Sequence, residues 1–117
     1  MLEAESEQAA DVRASAIGGT LLLAASGRLD AHAAERLREH IESARGGDRP
    51  LVLDLGATEQ LGPEAIDMLR TSWRALGDRL RVVAPADSPA ATALKDGGLR
   101  RFAVHGSLSG ALTQAAE

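Results

Sequence analysis

Residues 51–55 have the sequence LVLDL, and the chain continues through GATEQLG, residues 56–62, to Pro63. An almost continuous apolar run of this length predicts a central strand that is covered on both faces. The polar segment predicts a loop, and the proline predicts the first turn of a helix, where its missing N–H costs no hydrogen bond. Apolar side chains recur behind the proline at helical spacing, at Ile66, Leu69, Trp73 and Leu76.

Upstream of this strand, the sequence predicts a hairpin and a first helix. Residues 12–17 and 20–25 are strand-like runs on either side of a Gly-Gly pair, which tolerates the positive φ of a tight turn. Residues 26–28 are predicted to end the second strand. Asp30 then stands where a helix N-cap is expected. One apolar face follows at helical spacing, formed by Ala34, Leu37, Ile41 and Ala44.

Downstream, two more strands alternate with two more helices. Residues 80–84 predict a strand, and a Ser-Pro pair predicts the start of a helix over 90–96. Residues 101–104 predict a short edge strand, and Ser107 predicts the cap of a last helix. The order is therefore β-β-α-β-α-β-α-β-α. Because the later strands need helical crossovers, we predict one α/β domain with a mixed sheet of four to five strands and about four helices.

Composition excludes several classes of function. The 117 residues include no cysteine, so a disulfide framework, a thiolate zinc site and a cysteine nucleophile are ruled out. A net charge of −4 and an aromatic content of 2% argue against nucleic-acid binding. Residues 1–11 are acidic and predict a flexible N-terminus before a folded domain over 12–117. With no apolar run long enough for membrane insertion, we expect a cytoplasmic protein.

Motifs for catalysis are also lacking. The three histidines, His32, His40 and His105, have no metal-ligand spacing and predict no metal site. The sequence has no GxSxG elbow and no glycine-rich phosphate loop, so we predict neither an enzyme nor a bound cofactor. Asp54 is expected to cap a local loop. Glu64 is expected to compensate the dipole of its helix. The alternative, which stays open, is that Glu64 occupies the place where a regulatory phosphate would act.

Several segments, taken in order, resemble a STAS domain, the family of sulfate transporter and anti-sigma factor antagonist domains. The similarity covers about Val12 to Ala115, and its main carriers are residues 27–31, 51–55, 80–85, 97–102 and 107–112. It implies a STAS-like domain over 12–117 that acts as a non-enzymatic regulator. Such antagonists bind an anti-sigma factor serine kinase of the ATP-binding, histidine-kinase-like type. The resemblance implies a partner-binding surface at Asp30, Thr58, Gly62, Pro63, Glu64, Ala65 and Ile66.

The sequence departs from this family where the phosphorylation switch operates. The family usually has Asp-Ser-Ser/Ala-Gly after the loop leucine, whereas here Leu61 is followed by GPEA. Pro63 stands at the phosphoacceptor position and has no hydroxyl, so the usual switch is predicted to be absent. Two outcomes stay open: permanent binding, or a fixed charge at Glu64 that disfavours the usual partner. Thr58 is the first alternative acceptor.

A different class of function also stays open. STAS-like domains serve as accessory parts of membrane transporters and of lipid-transport ATPases. The resemblance therefore also allows a transporter subunit as the partner of this chain, with co-purification from a membrane fraction as the discriminating observation.

Overall fold

The structure, a computed structural model, describes residues 11–44, 46–47, 49–99 and 104–106. The strands are β1 (Asp11–Ile17), β2 (Thr20–Leu29), β3 (Leu51–Leu61), β4 (Leu80–Val83) and β5 (Val104–His105). The helices are α1 (Ala31–Ala44), α2 (Pro63–Leu76) and α3 (Pro89–Asp96), and a 3₁₀ turn, Gly77–Arg79, follows α2. The last helix predicted from Ser107, residues 101–103 of the predicted edge strand and residues 1–10 of the predicted flexible N-terminus 1–11 lie outside the described residues. Residue 11 is the first residue of β1.

The strands form one mixed sheet in the order β1-β2-β3-β4-β5. The β1–β2 pair is antiparallel, and the other three neighbouring pairs are parallel. Each of the three parallel connections carries a helix: α1 between β2 and β3, α2 between β3 and β4, and α3 between β4 and β5. The described order, β-β-α-β-α-β-α-β, confirms the predicted α/β domain with a mixed sheet.

The hairpin between β1 and β2 turns through Gly18 and Gly19, as predicted. Their φ angles are +54° and +87°, so both occupy the left-handed region. Ile17 and Thr20 pair directly across the turn. Two consecutive positive φ angles match a two-residue turn whose twist agrees with that of the strands it joins.

The predicted loop over residues 56–62 is wrong, because β3 continues to Leu61. The predicted end of β2 at residues 26–28 is wrong for the same reason, since the two strands stay paired as far as Leu29 and Leu61. Two shifts of register interrupt the pairing and absorb extra residues of β3. The polar composition of this segment reflects side chains on an exposed surface rather than the loss of strand structure.

A single buried cluster joins the sheet to all three helices. The predicted covering of the central strand on both faces is confirmed, because Leu51, Val52 and Leu53 are each at most 1% exposed. Trp73 of α2 is 2% exposed, and its indole N–H donates to the carbonyl of Leu80, 3.1 Å away. This hydrogen bond attaches α2 to the start of β4.

Candidate functional site

The N-termini of α1 and α2 lie side by side at the end of the sheet where β2 and β3 finish. The parallel strands β2 and β3 end together, with Leu29 paired to Leu61, and each leads directly into a helix. The backbone N–H of Gly62 donates to the carbonyl of Leu29 over 2.9 Å. Each helix N-terminus presents free N–H groups and the positive end of a helix dipole. Two such N-termini therefore share one surface at this end of the sheet.

Asp30 caps α1, as predicted. Its Oδ1 accepts a hydrogen bond from the N–H of Ala33 at 3.0 Å, and its own carbonyl accepts from Ala34 at 2.9 Å. Asp30 is exposed, so its carboxylate satisfies one free N–H of the helix while remaining open to solvent.

Gly62 and Pro63 begin α2 in a different way. Gly62 is the N-cap and has no side chain to accept a hydrogen bond, and Pro63 occupies the first turn. A β-carbon at Gly62 would lie 3.3 Å from both the carbonyl oxygen of Leu29 and Oε1 of Glu64. The Glu64 carboxylate therefore lies over the start of its own helix, where it offsets the positive end of the dipole.

The structure divides the seven predicted site residues by accessibility. Asp30, Pro63 and Glu64 are exposed, and Gly62 and Ile66 are half-buried. The structure thus brings together, at the two helix N-termini, residues that are more than thirty positions apart in the sequence. These five residues form what we call the cap surface: Asp30, Gly62, Pro63, Glu64 and Ile66.

Thr58 and Ala65 do not belong to the cap surface. Ala65 is 0% exposed and Thr58 is 3% exposed. The Thr58 hydroxyl donates to the carbonyl of Leu55 over 2.8 Å, within β3. The polar neighbours of Thr58 predict a loop at this position, but Thr58 lies in β3 and its side chain faces the core. Its hydroxyl is enclosed in the folded protein, which argues against Thr58 both as a partner contact and as an accessible phosphoacceptor.

Asp54 lies within β3, close to the first shift of register. Its Oδ1 accepts from the N–H of Gly56 over 2.9 Å. Asp54 therefore makes a local cap, as predicted. The residues that it caps form an irregularity of the strand and not the predicted loop. A backbone N–H that the shifted register would leave without a strand partner is satisfied in this way.

The sequence did not reveal an open groove between α1 and α2, which begins beside the cap surface at Glu64. Its volume is about 500 Å³. Ala34, Ile41 and Met68 form part of its apolar floor, and charged side chains line its rim. The sequence predicts one apolar face on each of the two helices. The sequence offers no signal that the two helices separate enough to leave part of these faces open.

A second polar cluster lies on β4 and β5. The Nε atom of Arg81 and Nε2 of His105 are buried without a hydrogen-bond partner among the described residues. Burial, and secondarily the charge of Arg81, lower the pKa of His105. His105 and His40 are half-buried, whereas His32 is exposed.

The described residues contain no group of three or more His, Asp or Glu side chains arranged to hold a metal ion. None of their helices combines the length and the apolar character that a membrane crossing requires.

Known proteins similar to this chain share its fold along nearly its whole length. An anti-sigma factor antagonist from Mycobacterium paratuberculosis is 25% identical, with a TM-score of 0.79 over 94% of this chain and 97% of that one. The anti-sigma factor antagonist SpoIIAA, in its unphosphorylated form, is 14% identical, with a TM-score of 0.75 over 91% and 96%.

The same fold occurs as part of a much larger chain. SLC26A9 is 17% identical and has a TM-score of 0.61, over 89% of this chain but 21% of its own.

No curated protein sequence matches this one. The model of the STAS domain family matches residues 11–111. The chain therefore belongs to the STAS domain family.

Proposed function

We propose that this chain is a non-enzymatic regulator of the anti-sigma factor antagonist type, and that it binds an anti-sigma factor serine kinase of the ATP-binding, histidine-kinase-like type. The observation that carries the proposal is the cap surface, where Asp30 and the start of α2 meet across the 2.9 Å hydrogen bond from Gly62 to Leu29. The similarity to an anti-sigma factor antagonist over 94% of the chain supports it.

Binding through this surface is proposed to be permanent, not switched. Pro63 has no hydroxyl and cannot accept a phosphoryl group at the position that the family resemblance assigns to the serine. A phosphate there would add about −1.5 to −2 charges. Glu64 supplies a single carboxylate that already lies against the start of α2. Its charge is largely directed at its own helix, so it is a poor substitute for a phosphate that repels the partner.

Binding and mass measurements with a purified anti-sigma factor serine kinase from the host test this proposal. We expect the kinase to bind the chain equally well before and after incubation with Mg-ATP, and the chain to gain no mass. Asp30→Asn combined with Glu64→Gln is expected to weaken binding by about tenfold or more, since both substitutions remove charge from the cap surface. Unchanged affinity in this double variant would contradict the assignment of the surface.

Restoring the hydroxyl tests the missing switch. In Pro63→Ser we expect a gain of about 80 Da on incubation with kinase and Mg-ATP, followed by loss of binding. The matched control is Pro89→Ser, because Pro89 is likewise an exposed proline in the first turn of a helix. It should gain no mass and keep its affinity. A gain of 80 Da by the unaltered chain would refute the claim that the switch is absent.

The alternative partner, a transporter subunit, is an outcome of the same work. If the tagged chain binds none of the host's anti-sigma factor kinases and instead co-purifies with a transport ATPase from the membrane fraction, the regulatory proposal is wrong. The accessory-subunit function would then take its place.

A further inference from the structure

Strand β1 forms one edge of the sheet, and this edge is open. Among the described strands it pairs only with β2, and the pairing continues without a shift of register from Asp11 to Ile17. Six of its seven residues are exposed. Its sequence, DVRASAI, contains neither proline nor lysine, two residues that commonly protect exposed edges. A regular and open edge of this kind can accept a further strand.

The hairpin turn determines which backbone groups of β1 point outward. Ile17 and Thr20 flank the two-residue turn, so they form a hydrogen-bonded pair. Bonded and non-bonded pairs alternate along an antiparallel ladder. The odd-numbered residues of β1 therefore bond to β2, whereas Val12, Ala14 and Ala16 direct their N–H and C=O groups toward the free edge. These outward groups are the donors and acceptors that a further strand would bind.

We propose that β1 pairs with β1 of a second copy of this chain, antiparallel and centred on Ala14, so that two sheets join edge to edge in a symmetric dimer. In this register Ala14 meets Ala14 of the other copy, and Val12 meets Ala16. Each outward N–H then finds an outward C=O on the opposite strand, because a hydrogen-bonded pair exchanges both of its bonds. The same surface serves both copies, as two-fold symmetry requires.

Both hydrogen bonding and charge favour this register over its neighbours. A dimer centred on Arg13 would place two guanidinium groups directly opposite each other, which is destabilising. A dimer centred on Ser15 would pair only Ala14 with Ala16 and leave the outward groups of Val12 without a strand residue. In the proposed register Arg13 lies opposite Ser15. Within each strand Nε of Arg13 donates to Asp11 over 2.9 Å, so two edges without net charge meet.

Side chains beside the edge leave room for a second copy. Ala14 and Ala16 are small, and on the helix side of the sheet a hollow of about 430 Å³ lies between Ala14 and the end of α1. Ile17 is 45% exposed, the largest exposure of a large apolar side chain in the described chain. In the dimer it lies diagonally across from the aliphatic stem of the other copy's Arg13, which removes apolar area from water.

The chain's own N-terminal residues are a poorer occupant of this edge. Residues 1–10 contain no β-branched and no aromatic residue, so they have little tendency to form a strand. One strand pair falls below the about 1,200 Å² of a standard interface, so we expect a weak dimer. Such a dimer carries two cap surfaces, which would increase avidity for a partner with two sites. The inference does not depend on the proposed function, because no cap-surface residue lies on β1.

Cysteine cross-linking tests the register, because the chain has no cysteine of its own. In the proposed dimer Arg13 and Ser15 of opposite copies form a non-hydrogen-bonded pair with Cα atoms about 4.5 Å apart, which suits a disulfide. Two copies of the same residue lie diagonally, about 7–8 Å apart, beyond the usual disulfide range. We expect Arg13→Cys and Ser15→Cys to cross-link on oxidation when mixed, whereas neither does so alone. No cross-link in the mixture, or equal cross-linking of one variant with itself, overturns the proposal.

Sedimentation of the full chain tests the dimer itself. We expect the dimer fraction to rise over an about hundredfold range of concentration. Ala14→Pro removes the central outward N–H, which an edge strand tolerates, and should leave only monomer. Ala14→Lys places two ammonium groups opposite each other and should weaken the dimer about fivefold. Ala75→Lys, the matched control, adds the same charge at an exposed position of α2 and should not weaken it.

Circular dichroism first shows that all three variants are folded. A chain that stays monomeric at every concentration overturns the proposal, whether its edge is empty or is covered by its own residues 1–10. Equal dimerisation of Ala14→Lys and Ala75→Lys would also overturn it.

Kinase binding separates this inference from the proposed function. Ala14→Pro leaves every residue of the cap surface in place, so at concentrations at which both chains are monomers it should bind the anti-sigma factor kinase as the unaltered chain does. Failure of kinase binding with intact dimerisation would refute the proposed function alone. Failure of dimerisation with intact kinase binding would refute the edge pairing alone.

Discussion

Replacing Asp30 tests both the local structure and the surface that we assign to partner binding. In Asp30→Ala the hydrogen bond from the N–H of Ala33 to Oδ1, 3.0 Å in the structure, is lost. The α1 helix then begins with one more unsatisfied N–H group, which only water can satisfy. The same substitution removes an exposed carboxylate from the cap surface, so stability and binding must be separated by design.

The expected loss of stability follows from the cap. Removing an N-cap aspartate costs about 1 kcal/mol, within a range of about 0.5–2 kcal/mol. For a domain of this size, we expect Tm to fall by about 4 °C. Urea denaturation followed by tryptophan fluorescence measures the change. The chain has one tryptophan, Trp73, which is 2% exposed and therefore reports on the core.

Asp30→Asn is the matched control, because an asparagine side-chain oxygen also caps a helix but carries no charge. We expect Asp30→Asn to lose less than half as much stability as Asp30→Ala. Equal stability of Asp30→Ala and the unaltered chain, or an equal loss in both variants, would refute the capping argument. Binding of the anti-sigma factor kinase is expected to weaken in both variants, since both lose the carboxylate.

Three further substitutions test the packing and titration of the core. A β-carbon at Gly97 would lie 2.8 Å from Cγ2 of Ile66, so Gly97→Ala should cost about 1–3 kcal/mol in urea denaturation. Gly47→Ala, where the nearest contact is 3.9 Å, should cost nothing, and equal effects would refute the argument. Trp73→Phe removes the indole N–H that donates to the buried carbonyl of Leu80. We expect it to lower the free energy of unfolding, followed by circular dichroism, by about 1–3 kcal/mol, and no loss would contradict this role. Because burial lowers the pKa of His105, the unfolded chain binds its proton first as pH falls, and stability should decrease below about pH 6.5. His105→Gln should reduce that decrease in denaturation curves measured above and below this pH, and an unchanged decrease would contradict it.

The parts of the fold that were predictable are those in which a local signal has a single physical meaning. The Gly18-Gly19 pair provides two consecutive positive φ angles, which few other residue pairs tolerate. Asp30, and Pro89 after its serine, mark helix starts through free N–H groups and a fixed φ. Each of these signals acts within about four residues, and the structure has the predicted element at each position.

The extension of β3 was not predictable from its own residues. Residues 56–61 are polar and begin with glycine, which favours a loop by any local criterion. The strand persists because β2 runs alongside and supplies hydrogen-bond partners through two shifts of register. Gly27, with a φ of +83°, lies at one of these shifts. The misplacement of Thr58 follows directly, because burial in a strand depends on alternation that a predicted loop does not have.

The two proline-initiated helices differ in how their first turns are capped. At α3, Ser88 accepts a hydrogen bond from the N–H of Ala91 over 3.1 Å, and Pro89 follows it. At α2 the corresponding residues are Gly62 and Pro63, and no side chain caps the helix from that position. The close approach of the two helix starts accounts for the difference.

A β-carbon at Gly62 would press against the carbonyl oxygen of Leu29 and against Oε1 of Glu64 at 3.3 Å each. An N-cap side chain would therefore have to displace backbone of β2 or the Glu64 carboxylate. The constraint that brings α1 and α2 together thus also leaves the start of α2 without a cap. Because Pro63 holds the first turn of α2 in helical geometry, the surface stays ordered without the hydroxyl that a phosphorylation switch requires. We therefore trace both proposals, the absent switch and the permanent binding surface, to Gly62 and Pro63.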